Sequence, residues 1–199
     1  MRYKYMILML FMISGCTTSP PSDVEDICSM FHEKDGWYDD ADDAEDRWGS
    51  PIPVMMAIMH QESKFRAKAK PPRKKILWVI PGPRPSSSYG YTQALDETWD
   101  MYIRDAGNYG ADRDDFGDSI DFVGWYNHQS YRKSGIKKND PYHLYLAYHE
   151  GQGGFNRRTY KNKQWLKDVS RKVSRQSASY ATQLKSCEED LKDDGWWFW

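Results

Sequence analysis

Glu62 is the residue whose position first suggests chemistry. It stands near the end of the run Ser50 to Phe65, SPIPVMMAIMHQESKF, in which Ile52, Val54, Met55, Met56, Ala57, Ile58 and Met59 leave little polar surface. Read as a helix, the run sets Glu62 beneath Met55, Ile58 and Met59, on an apolar face. A carboxyl there is costly to ionise, so its pKa is expected to rise toward the range a general acid needs. The alternative is a solvent-facing Glu at a helix C-terminus, where its charge opposes the helix dipole. Metal chemistry finds less support. His60-Gln61-Glu62 lacks the paired cysteines that would complete a zinc set, and no His-Glu-x-x-His occurs. The acidic residues Asp39, Asp40, Asp42, Asp43, Glu45 and Asp46 lack the glycine and spacing of a calcium loop and read as a solvated face. No nucleophile elbow accompanies a Ser/His/Asp set. Neither a metal nor a cofactor is expected.

The elements that must position Glu62 are nearly all helical. Ser50 suits an N-cap and Pro51 the first helical position of the central helix. Asp23–Lys34 reads as a helix with Val24, Ile27, Cys28 and Phe31 on one face, and Trp37–Trp48 as a second. Leu95–Ala106 follows the same period, with Asp96 as a possible cap. Asp114–Ser134 carries Phe116, Ile120, Val123 and Asn127 on one stripe, and Gly124 would permit a close helix approach. Asn127 on that stripe could meet a ligand or be a satisfied core amide. Asp140-Pro141 starts a helix holding Leu144, Ala147 and Tyr148, which Gly151, Gly153 and Gly154 end. A last helix, about Lys161–Cys187, has a seam of Leu166, Val169, Val173, Tyr180, Leu184 and Cys187. Between the central helix and the next lies an insertion, residues 70–87, whose Ile76–Ile80 is bracketed by prolines and reads as a short extended piece.

With 199 residues the chain can build one domain with a sizeable core. Nine tryptophans and fourteen tyrosines suit sugar or partner surfaces as well as a core. The net charge is −1, and −3 without Arg2 and Lys4, which gives no electrostatic case for nucleic acid. Those two residues, the apolar Tyr5–Ile13 and Ile13-Ser14-Gly15-Cys16 read as a targeting segment resembling a bacterial lipobox. On that reading residues 1–15 are removed and Cys16 is lipidated; a plain secretory leader is the alternative. Thr17 is not the aspartate that retains such proteins at the inner membrane, so the expected address is the periplasmic face of the outer membrane. Residues 16–22 would then be a tether, 23–190 the domain and 191–199 an aromatic tail. Cys28 and Cys187 remain, an even pair that suggests a disulfide in an exported chain, with two inert buried thiols as the alternative. The bridge would staple the first helix to the last and stabilise by roughly 4–5 kcal/mol on the chain-entropy model.

Three short motifs occur in order: Glu62-Ser63, then Gly90-Tyr91-Thr92-Gln93 after a Ser-rich loop, then Ala147-Tyr148-His149-Glu150-Gly151. Together they resemble the soluble lytic transglycosylase family of lysozyme-like enzymes, with its Glu-Ser, Gly-Leu-Met-Gln and Ala-Tyr-Asn-x-Gly pattern. The resemblance covers roughly Trp48 to Phe155. It implies an all-α, lysozyme-like single domain of the goose-type kind, here with a short extended insertion. It also implies peptidoglycan glycan strands as the partner and cleavage between N-acetylmuramic acid and N-acetylglucosamine. Most glycosidases use two carboxylates, whereas this family uses one glutamate, acid and then base, and closes a 1,6-anhydro ring on the muramic residue. Carried over, Glu62 is the catalytic group and Ser63 orients or packs it. Ser88, Gly90, Tyr91 and Gln93 line the cleft, with Tyr148 near the acid and Asn127, His149 and Glu150 as further substrate-binding candidates. Thr92 replaces methionine, His149-Glu150 replaces Asn-Ala, and Tyr89 replaces a small residue. Glu150 is the departure with chemical weight, because a second carboxylate that activates water would make a hydrolytic muramidase. It could equally be a surface charge or a partner of Arg157. A non-catalytic peptidoglycan-binding lipoprotein is the remaining alternative.

Overall fold

The computed structural model describes residues 19–73, 75, 76 and 80–194. The leader, Cys16 and the end of the aromatic tail lie outside these residues. Among them seven helices form: α1 Ile27–Glu33, α2 Trp37–Trp48, α3 Ile52–Ser63, α4 Asp96–Ala106, α5 Phe116–Ser134, α6 Pro141–Asn156 and α7 Gln164–Asp194. Two strands of two residues each, β1 Lys75–Ile76 and β2 Ile80–Pro81, pair antiparallel inside the insertion. Ile76 and Ile80, the ends of the piece expected to be extended, thus lie in separate strands that pair with each other. No described helix is long and apolar enough to cross a membrane.

α3 is the axis of the core, packed by α2, α5, α6 and α7. Every residue from Val54 to His60 is buried, as a helix apolar all round must be. Its start differs from expectation. Pro51 occupies the cap position and contributes no side-chain bond, while the Glu45 carboxylate accepts from the Ile52 amide at 2.7 Å. Ser50 instead accepts from the Asn127 amide at 2.9 Å, with both residues fully buried. Past Ser63 the chain turns sharply: Lys64 and Phe65 both have positive φ, 52° and 56°. Phe65 is fully buried beside Trp37 and His60, and that burial offsets the backbone strain.

α5 and α2 pack closely because Gly124 has no side chain: a Cβ there would lie 2.7 Å from the Trp48 ring. Asp121 on α5 ties the layers together, accepting from Arg47, the Trp48 indole and the Tyr102 hydroxyl. α1 starts later than the period suggests, at Ile27, because Asp26 accepts from the Ser29 amide and caps it. The disulfide Cys28–Cys187 joins α1 to α7 as expected, and Gln183 and Tyr180 of α7 bond backbone groups at the first residue of α1 and just before it. Asp96 does not cap α4; it pairs with Arg113 at 2.8 Å. Asp39, Asp43 and Asp46 of α2 are exposed. Asp40 is half-buried against Gly117, and burial pushes its carboxyl up to about 6. Among the described residues no group of His, Cys, Asp or Glu is arranged to hold a metal.

Candidate active site

Glu62 lies in the last turn of α3 and opens onto a cleft of about 680 Å³. The walls are mostly apolar: Pro71 and Pro72 from the start of the insertion, Ala94, Leu95 and Thr98 at α4, and Phe122 and Tyr126 from α5. Burial pushes the Glu62 carboxyl up to about 7, opposed only by a hydrogen bond from the Tyr145 hydroxyl. Near neutral pH it can give a proton and take one back.

The second motif forms a tight loop beneath the cleft. Tyr89 and Ala94 close it as a bridge, and Gly90 turns at φ 79°. A Cβ on Gly90 would sit 1.9 Å from the Arg113 carbonyl, so only glycine fits. Gln93 turns the chain again at φ 52°, and its amide nitrogen donates to the carbonyls of Ala69 and Gly90 at 3.0 and 2.9 Å. Gln93 and Ser88 line the cleft.

The third motif lies on α6, which Asp140 and Pro141 start and which kinks at Gly151, φ 70° and ψ 156°. The Tyr148 hydroxyl donates to the Thr92 carbonyl at 2.7 Å, joining the second motif to the third. One turn earlier Tyr145 reaches Glu62. His149, Glu150 and Gly151 continue the cleft wall. The Glu150 carboxylate is fully engaged: Lys163 donates at 2.7 and 2.9 Å, the Thr159 hydroxyl bonds the second oxygen, and His149 pairs with the first at 3.0 Å. These contacts outweigh desolvation and hold the carboxyl down at about 2.

A family model described as Transglycosylase SLT domain matches residues 4–187. The chain belongs to this family. No curated protein matches the chain. Its fold, helical apart from the two short strands of the insertion, accords with the lysozyme-like architecture of SLT domains, and membership carries, at the level of the family, cleavage of glycosidic bonds in peptidoglycan.

Within this SLT domain the three motifs meet at one cleft, but their residues divide. Glu62, Ser88, Gln93, Tyr148, His149 and Glu150 line it. Ser63 is buried, and its hydroxyl bonds the Met59 carbonyl rather than Glu62, so it packs the helix end. Gly90 makes its close approach to Arg113, not to the cleft. Tyr91 is buried edge-on to Trp37 and Phe116, supporting the loop from behind. Asn127 is the core amide held by Ser50, away from the cleft. Glu150 pairs with Lys163 rather than Arg157. Tyr145, which bonds Glu62, is the neighbour of the cleft that the sequence reading missed. Its signal was the spacing Tyr-x-x-Tyr, which puts it on the same helix face as Tyr148.

Proposed function

We propose that the protein is a peptidoglycan lytic transglycosylase in which Glu62 is the single proton-transferring group. The supporting observation is the contrast in the cleft: one carboxyl is desolvated with a pKa near 7, and the other is ionised and engaged on both oxygens. Protonated Glu62 gives its proton to the glycosidic oxygen, and the C1–O bond breaks to release the N-acetylglucosamine hydroxyl. The C6 oxygen of the muramic residue then bonds to C1, and its proton passes to the Glu62 carboxylate. That restores the acid and leaves a 1,6-anhydro ring, with no water consumed. Since the nucleophile belongs to the substrate, proximity carries much of the rate. Tyr145 steadies the carboxylate that forms, and the free oxygen of the Gln93 amide accepts from the sugar.

The reading extends to the start of the chain. Cleavage before Cys16 and lipidation of that residue anchor the domain, residues 23–190, to the periplasmic face of the outer membrane through the tether 16–22. A diacylglycerol with an amide-linked acyl chain suffices for stable anchoring. The mass of the N-terminal peptide from membrane-extracted protein checks this: an acylated Cys16 is expected, and an unmodified N-terminus would refute it. The reaction itself is tested by mass spectrometry of fragments released from purified peptidoglycan. Products ending in 1,6-anhydromuramic acid are expected. Reducing ends heavier by one water would establish hydrolysis instead.

A further inference from the structure

We propose that Trp165 is a sugar-stacking platform that extends the glycan cleft beyond His149. The proposal rests on the peptidoglycan-cleaving reading of the site. Trp165 is 54% exposed. Among the described residues two other exposed aromatics, Tyr109 and Tyr131, lie away from the cleft, in the α4–α5 connection and at the end of α5. Trp165 does not: its ring meets His149 edge-on with centroids 5.0 Å apart, and His149 lines the cleft.

The chain on either side of the indole is anchored. Lys163, two residues before it, is fixed by both oxygens of Glu150, and Leu166, the next residue, is fully buried. Glu150 in turn holds His149. One carboxylate thus joins the end of the third motif to the start of α7 and sets the two rings side by side. An indole presented this way offers a broad apolar face and one N–H donor. The C–H face of an N-acetylhexosamine ring matches the first, and its hydroxyl or acetamido oxygen the second. Glu150 is therefore a positioning residue for a binding surface.

The test compares binding of peptide-free glycan strands to full-length E62Q, E62Q/W165A and E62Q/W165F. Loss of the indole is expected to weaken binding about tenfold, with phenylalanine restoring most of it. With Glu62 intact, W165A is expected to raise KM by about the same factor and leave kcat within about twofold. Unchanged affinity in E62Q/W165A beside normal binding by E62Q would overturn the platform. So would a loss seen only with strands that keep their stem peptides, since the ligand would then be peptide. Failure of E62Q itself to bind any strand would overturn the peptidoglycan reading, and this proposal with it.

Discussion

Glu62 and Glu150 open onto the same cleft, and their surroundings drive them apart. The end of α3 gives Glu62 an apolar setting and one hydroxyl donor, so the neutral acid is favoured. The end of α6 gives Glu150 a lysine, a threonine hydroxyl and a histidine, so the charge is favoured although the side chain is only 4% exposed. The number of donors decides, more than burial alone. A carboxylate with a pKa near 2 is a poor base, and its oxygens are occupied. On the proposed mechanism the altered third motif therefore serves structure, and the acid–base work stays with Glu62.

The largest effect expected from separating the two is on turnover. E62Q should lose at least about 10³-fold in kcat, whereas E150Q should lose less than about tenfold in kcat while raising KM, because it loosens His149 and Trp165. Product-release kinetics on purified peptidoglycan check both, and a variant E62Q with substantial activity would break the comparison.

Stability should move in opposite directions. The raised pKa of Glu62 means that folding favours its protonated form: there is no penalty below about 4.5, and the penalty grows as pH rises through about 7. E62Q should therefore be more stable than the wild type at pH 8, by up to about 3 kcal/mol, with the gain vanishing toward pH 4.5. For Glu150 the folded pKa is depressed, so its contribution is present above about 4.5 and is lost as pH falls toward 2. E150Q should cost about 2 kcal/mol at neutral pH, since Lys163 loses its partner. Denaturant melts across pH measure both signs.

The smallest effect concerns Tyr145. Its hydroxyl favours the charged form of Glu62, so Y145F should raise the Glu62 pKa and move the alkaline limb of kcat/KM upward by less than about one pH unit. A downward shift would mean that the tyrosine does not bond the carboxylate.

Much of this arrangement could be read from periodicity, and its failures have physical causes. The apolar face under Glu62 follows from helical spacing within a dozen residues, and α2 spans Trp37–Trp48 as the pattern indicates. Gly124 and the Cys28–Cys187 bridge were likewise legible, from a small residue on an apolar stripe and from paired cysteines. What stayed hidden depends on contacts across elements. Glu150 finds Lys163 thirteen residues on, after the chain has kinked at Gly151 and turned into α7. Ser50 gives up capping because Asn127, from α5, reaches it in the core. Gly90 and Tyr91 belong to the right motif, yet they build the loop from behind.

The contrast between the two carboxyls can be read in a ¹³C NMR titration of the carboxyl carbons of Glu62 and Glu150, assigned through E62Q and E150Q. One titration near pH 7 is expected for Glu62, with Glu150 ionised throughout the range above about 3. A Glu62 midpoint near 4.5, or Glu150 titrating near neutrality, would contradict it and make Glu150 the proton-transferring group to pursue.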